Sequence, residues 1–189
     1  MRKLIYSMNV SLDGFIAGRA GEIDWGAPDE ELHRFHNRQT GELGVQLCGR
    51  RLYETMLYWE TAAENPSAAE YTLEFARIWK ALPKVVFSRT LESVEGNARL
   101  LPPDRVADEV AKLKEQPGKA LAVGGAGLAA TCIQLGLIDE YRLFVCPVVL
   151  GGGTPYFPAL DDRFNLELAE TQTFSSRVVY LRYRAAPSR

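Results

Sequence analysis

Short apolar runs and helical stripes take turns along this chain, and their alternation predicts an α/β protein. Lys3 to Val10, rich in Leu, Ile, Tyr and Val, reads as a first strand, followed by a loop with two glycines, Ser11 to Gly18 (SLDGFIAG). Pro28 and the acidic Asp29, Glu30 and Glu31 suit a helix start, since proline costs nothing in a first turn and carboxylates face the positive end of the dipole. That helix runs to about Thr40, with Leu32, Phe35 and Gln39 along one side. Gly44 to Cys48 is a strand, and Gly49-Arg50-Arg51 turns it into a second helix, Leu52 to about Trp59. Ser67 and Glu70 have capping-box spacing, ahead of a stripe of Tyr71, Phe75, Ile78, Trp79 and Leu82.

Pro83 stops that helix, and Lys84 to Thr90 reads as a strand ending in Ser88-Arg89. Ala98 to Leu101 is a short strand, and Asp104 to Glu115 a helix with Val106, Val110 and Leu113 inward. Ala120 to Val123 is a strand, Gly124 and Gly125 a turn, and Gly127 opens a helix whose apolar residues fall at Leu128, Cys132 and Leu135. Glu140 to Val149 alternates, with Tyr141, Leu143 and Val145 on one side and Arg142, Phe144 and Cys146 on the other. Gly151 to Phe157 (GGGTPYF) is either a flexible connector or a place where backbone closely approaches a ligand or partner chain. Asn165 to Phe174 and Arg177 to Tyr183 end the pattern as a hairpin turned at Ser175-Ser176. There is no repeat, linker or low-complexity stretch, so one domain over residues 1–189 is the economical reading.

Composition narrows the function. Lys+Arg 22 against Asp+Glu 24 leaves no basic field for nucleic acid, so an anionic ligand would have to be met by a few local cations. No apolar run reaches membrane-spanning length, and the one at the N-terminus is too short for a signal peptide. Cys48, Cys132 and Cys146 lie far apart in apolar runs, as free thiols of a reducing compartment would. The expectation is a soluble cytoplasmic protein. His33 and His36 stand three apart with no third ligand spaced to join them, which reads as a half-buried helix face rather than a metal site.

Candidate chemistry sits at the strand-to-helix junctions. The run Val123-Gly124-Gly125-Ala126-Gly127-Leu128 joins strand to helix through glycines, which admit positive φ and close ligand approach, while the first helical amides point outward unpaired. It is a phosphate cradle or a tight connection that binds nothing. At the second junction, Arg50 and Arg51 oppose the helix dipole unless an anion lies between them. Ser88-Arg89 places a hydroxyl and a guanidinium at a strand end, a pair that suits a phosphate monoester. Gly125-Ala-Gly127-x-x-Ala130 formally matches a Rossmann fingerprint, but the next strand ends in Val145-Cys146-Pro147 without the acidic residue such a unit needs. Asp13, in an Asp-Gly pair, reads as turn chemistry or as a substrate-side carboxylate.

These residues carry a resemblance. SLDGFIAG at 11–18, GRRLYE at 49–54, KVVFSRT at 84–90, AVGGAG at 122–127 and GLIDEYRLFVCPVVLGGGTPYF at 136–157 resemble, in order, the dihydrofolate reductase-like superfamily. Within it they resemble the C-terminal reductase domain of the bifunctional riboflavin-biosynthesis deaminase-reductase (RibD), here as a stand-alone member. The resemblance implies a twisted, mostly parallel sheet of about eight strands, a C-terminal antiparallel hairpin, helices on both faces, and NADPH. It implies pyrophosphate at Gly49-Arg50-Arg51-Leu52 and at Gly124 to Leu128, adenosine 2′-phosphate at Ser88-Arg89, and the nicotinamide carboxamide against Ile16 and Ala17. Asp13, Trp25, Leu32 and Tyr156 would then stand on the substrate side.

One departure is plain. Dihydrofolate reductases proper bind the pterin through a carboxylate on the first helix, and the aligned position here is Leu32, with Glu30 and Glu31 displaced along the helix. The riboflavin-type branch instead reduces a ribosylamino-pyrimidine phosphate. The expected reaction is hydride transfer to a small heterocyclic, carbonyl or imine substrate, with Asp13, Glu54 or an ordered water supplying the proton. A non-catalytic nucleotide-binding or interaction protein of the same fold, and a true dihydrofolate reductase, are the alternatives. Segments around Val148, Val149, Leu150, Tyr156, Phe157, Val178 and Tyr180 are more apolar than an edge strand safely exposes, which predicts a homodimer through the C-terminal strands.

Overall fold

The computed structural model describes residues 1–65 and 67–186. Among these described residues ten strands form, β1 (Leu4–Ser11), β2 (Phe15–Ala17), β3 (Leu43–Gly49), β4 (Lys84–Phe87), β5 (Ala98–Leu101), β6 (Ala120–Gly124), β7 (Glu140–Cys146), β8 (Thr154–Pro155), β9 (Leu166–Thr173) and β10 (Val179–Ala185). The α-helices are α1 (Glu30–Gly41), α2 (Arg50–Met56), α3 (Tyr58–Thr61), α4 (Glu70–Ala81), α5 (Val106–Glu115) and α6 (Ala126–Gln134). Eight strands make one sheet in the order β5-β4-β3-β6-β1-β7-β10-β9, while β2 and β8 pair separately.

The six strands from β5 to β7 run parallel, and β10 and β9 add antiparallel pairs. Parallel neighbours need crossovers, which the helices supply. β6 returns to lie between β3 and β1, and the chain then leaves on the far side of β1 as β7. The carboxyl ends of β1, β3, β4, β6 and β7 therefore share one edge, with the reversal of winding at its centre. In open α/β sheets that edge is where ligands bind.

Each central strand shows a different face to each helical layer. Leu4 and Tyr6 of β1, Leu47 of β3 and Leu121 and Val123 of β6 pack with Val106 and Val110 of α5 and Leu128 and Cys132 of α6. On the other face α1 and α4 lie over Ile5, Ser7, Asn9, Gln46 and Arg142. Asp29 caps α1, its carboxylate accepting the Leu32 amide N–H at 2.9 Å.

Three expectations are corrected. The capping box at Ser67 does not form: Asn65 accepts the Ser67 N–H at 3.0 Å, and the turn this makes delays the helix to Glu70, behind Ala69 with no side-chain cap. The second helix starts at Arg50 and breaks at Leu57 into α2 and α3. Val178 and Tyr180, expected at a subunit surface, are 5% and 0% exposed, because α1 covers this end of the sheet and packs Leu32 and Phe35 against Phe144, Phe174 and Tyr180.

Candidate active site

At the shared edge, β3 and β6 end side by side, Cys48 paired with Gly124, so the starts of α2 and α6 are neighbours. Gly125 caps α6 with φ 87°, a left-handed conformation natural to glycine, and neither helix has an acidic residue in its first turn. A Cβ on Gly127 would meet nothing within 4 Å. Gly124 is different, since a Cβ there would lie 2.4 Å from Leu52 Cδ2, so this glycine lets α2 settle on β6.

One strand further out, the Ser88 hydroxyl oxygen accepts the N–H groups of Thr90 and Leu91, each at 3.1 Å, and winds the chain after β4 into a tight turn. Arg50 Nη1 donates to Thr90 Oγ1 at 3.2 Å, tying the start of α2 to that turn. Arg50, Arg51 and Arg89 are exposed. The edge is thus a strip of outward helix amides followed by a hydroxyl-and-arginine turn.

Behind the strip lies a cavity of about 510 Å³ between the sheet and the layer of α1 and α4. Ser7, Asn9, Gln46 and Arg142 rise from the strands as its floor, and His33, His36, Gln39 and Thr40 of α1 form one wall. Trp25, Trp59, Trp79, Phe75 and Phe144 supply aromatic surface. Ile16, Leu52, Val123 and Gly124 line it where it meets the strip, so Leu52, Val123 and Gly124 belong to both. Among the described residues the lining contains no aspartate, glutamate or lysine. Arg142 is held by Glu140, which accepts from its Nε at 2.7 Å, and by Gln39.

The imidazoles expected on a half-buried, partly solvated helix face both line the cavity. Burial pulls the His36 pKa down to about 4, assisted by His33, so this ring is neutral at physiological pH. His33 Nδ1 lies 3.1 Å from Asn37 Oδ1, while the Asn37 amide nitrogen donates to Tyr71 O at 2.8 Å and Glu74 Oε2 at 2.6 Å. Both of those partners only accept, which fixes the Asn37 amide and makes His33 Nδ1 the donor.

Several residues read from sequence stand away from the cavity. Leu32 is buried in the α1 cluster. Tyr156 is stacked on Tyr6 at 4.2 Å and donates to Tyr6 O at 3.0 Å, within the opposite core layer. Neither side chain lines the cavity. Asp13 serves the turn: it accepts from Ser11 Oγ at 2.7 Å, Leu150 N at 3.1 Å and Gly151 N at 2.7 Å, and these bonds hold its carboxyl below the usual carboxylate range. Glu54 is exposed beside Arg50, at 3.8 Å. The flexible-connector reading of Gly151 to Phe157 is excluded as well, since β8 pairs with β2 and Gly153 lies against the Ala17 carbonyl.

Most of the cavity's polar residues escaped the sequence reading. Their signal was present: Ser7, Asn9, Gln46 and Arg142 interrupt strands that are otherwise apolar, and His33, His36 and Thr40 recur three and four apart on the helix. The cysteines take no part, for all three are buried and burial pushes the Cys48 and Cys132 thiols up to about 12.

Comparison with known proteins agrees with this architecture. The family model of the RibD C-terminal domain matches residues 2–180. The chain is 38% identical over 188 residues to the uncharacterised Bacillus subtilis protein YyaP, covering 96% of this chain and 94% of the relative. A riboflavin-biosynthesis candidate from Shewanella sp. PV-4 superimposes with a TM-score of 0.76 at 21% identity, over 99% of this chain and all of its own. Dihydrofolate reductase from Enterococcus faecalis, solved with NADP(H) and RAB-propyl, superimposes with a TM-score of 0.65 at 13% identity, over 98% and 97% of the two chains.

Proposed function

The chain belongs to the RibD C-terminal domain family, and from that premise we propose that it is a single-domain, NADPH-dependent reductase of a small heterocyclic, carbonyl or imine compound. The observation that carries the reading is the junction at Leu52, Val123 and Gly124, where the anion-ready strip and the cavity share a wall. A dinucleotide fits the residues present. Gly49-Arg50-Arg51-Leu52 and Gly124 to Leu128 would hold its pyrophosphate, Ser88 and Arg89 its 2′-phosphate, and Ile16 and Ala17 would meet its nicotinamide. When bound, NADPH supplies the hydride.

The chain's own residues orient the reactants and exclude water. Trp25, Ile16 and Leu52 give the lining apolar surface, and the low dielectric beside them would strengthen every polar contact to substrate. Asp13 and Glu54 lie outside the lining, so the proposed proton source is a water. Dihydrofolate is disfavoured on the same ground: Glu30 pairs with Arg34 and Glu31 accepts from Ser175, so neither displaced carboxylate turns inward.

NADPH titration by calorimetry, with NADPH oxidation followed over a panel of pterins, pyrimidines and ketones, tests the proposal. Micromolar NADPH binding and turnover of one class are expected. Failure to bind NADPH at millimolar concentration would overturn the reading, and binding without turnover of any class would favour a non-catalytic protein.

The proposal extends to a cytoplasmic homodimer. Among the described residues, no helix is long and apolar enough to cross a membrane. With Tyr180 buried, the pairing face is the other side of β7, β10 and β9, where Leu143 and Leu181 keep partial exposure and Leu168 is 56% exposed. Light scattering should give twice 21.1 kDa, and Leu181→Glu should give a monomer.

A further inference from the structure

The cavity wall carries a hydrogen-bonding instruction of its own. With Nδ1 fixed as donor to Asn37, Nε2 is the His33 ring nitrogen left to meet a ligand. No described group hydrogen-bonds to that atom, and the ring lines the cavity. His36 likewise has no hydrogen-bond partner among the described residues, and it stays neutral. Arg142, which also lines the cavity, is already paired with Glu140.

We propose that this cavity takes an uncharged, flat heterocycle that donates a hydrogen bond to His33 Nε2, and that it rejects phosphorylated and carboxylated compounds. An anion entering here would lose its hydration among tryptophan and phenylalanine rings, with the Arg142 guanidinium already committed to Glu140. Such a substrate differs in kind from the ribosylamino-pyrimidine phosphate of the riboflavin-type branch. A flat ring suits the site, since Trp59 and Phe75 stand 4.5 Å apart between centroids beside His33 and offer extended π surface.

The inference rests on the reductase reading for its use, but its test does not need the cofactor. All three tryptophans of the chain line the cavity, so quenching of tryptophan fluorescence reports occupancy directly. Two matched pairs serve as probes: 6-methylpterin with pterin-6-carboxylate, and 6-methyluracil with orotate. The neutral member of at least one pair should bind tenfold or more tighter than its acid, and His33→Phe should weaken that neutral probe about tenfold while circular dichroism and NADPH affinity stay unchanged. Equal or tighter binding of the acids would overturn the proposal, as would failure of both neutral probes at millimolar concentration, or a His33→Phe variant that keeps full affinity for the neutral probe. Loss of NADPH binding by the wild-type protein would instead sink the reductase reading, leaving the ranking of the probes to decide the substrate class.

Discussion

Gly125 and Gly127 leave space above the sheet edge, whereas Gly153, in the second glycine cluster, is packed against the protein's own backbone. Gly127 has nothing within 4 Å of a would-be Cβ, while Gly153, at φ 141°, would put one 2.0 Å from Ala17 O. Both clusters follow a strand and both contain positive-φ residues. Glycine tells only that something approaches the backbone closely. Whether that something is a ligand or the chain itself depends on contacts made far away in sequence.

The comparison breaks most easily at Gly153. Valine there must displace backbone rather than a flexible side chain, and it adopts a left-handed conformation costing about 1–2 kcal/mol by itself, so the total loss should reach about 4 kcal/mol. For a chain of this size that is roughly 8–16 °C in Tm, read by differential scanning calorimetry. A shift of only a degree or two would mean that the two clusters are not different after all.

Gly125→Val probes the open cluster. Its Cβ meets only Leu52 Cβ, at 3.5 Å, so the fold bears the strain of φ 87° and circular dichroism stays near wild type. NADPH binding should be abolished because the branches occupy the pyrophosphate cradle. Normal cofactor affinity in a folded variant would show that the space beside Gly125 and Gly127 is merely empty.

Arg89→Ala sharpens the same side with a smaller effect. A charge-assisted contact of about 1.5–3 kcal/mol exists only with a 2′-phosphate, so NADPH affinity should fall roughly ten- to hundredfold and NADH affinity should hold. Equal weakening of both cofactors would remove Ser88-Arg89 from the 2′-phosphate site.

What was legible follows from what sequence periodicity can carry. The parallel strands announced themselves because both faces are covered, leaving continuous apolar runs such as Val85-Val86-Phe87 and Leu121-Ala122-Val123. The glycine junctions were visible because local backbone geometry demands them. The cavity was not, since it arises where polar residues of β1, β3, β7 and α1 converge, and no single segment reveals that Ser7 and His36 face one space. Leu32 illustrates the limit: its periodicity was right, but only the packed helix shows that this position lies in the cluster of Phe144 and Tyr180 and outside the cavity lining. Likewise the apolar C-terminal strands implied a cover, and local sequence could not say that α1 provides it.

Asp13 joins the two clusters' logic, and its effect is the smallest. The residue lies at the surface, yet it bonds to the amides of Leu150 and Gly151, 137 and 138 residues away, and so fastens the closed glycine loop. Because the Ser11 hydroxyl and those amides depress its folded pKa below the ordinary value of about 3.9, the stabilisation is complete above that value. It is lost as pH falls through the folded pKa, when the protonated carboxyl stops accepting from two amides. The exchange protection of the Leu150 and Gly151 amides, corrected for intrinsic rate, should therefore be constant from neutral pH down to about 4 and decline below it. Asp13→Asn should lower that protection at neutral pH and remove its acid dependence, while NADPH affinity stays unchanged because the carboxylate lies outside the cavity. Protection that is the same in the variant and the wild type would show that β2 and β8 hold the loop without Asp13. A loss of turnover larger than the loss of protection would return this carboxylate to the chemistry.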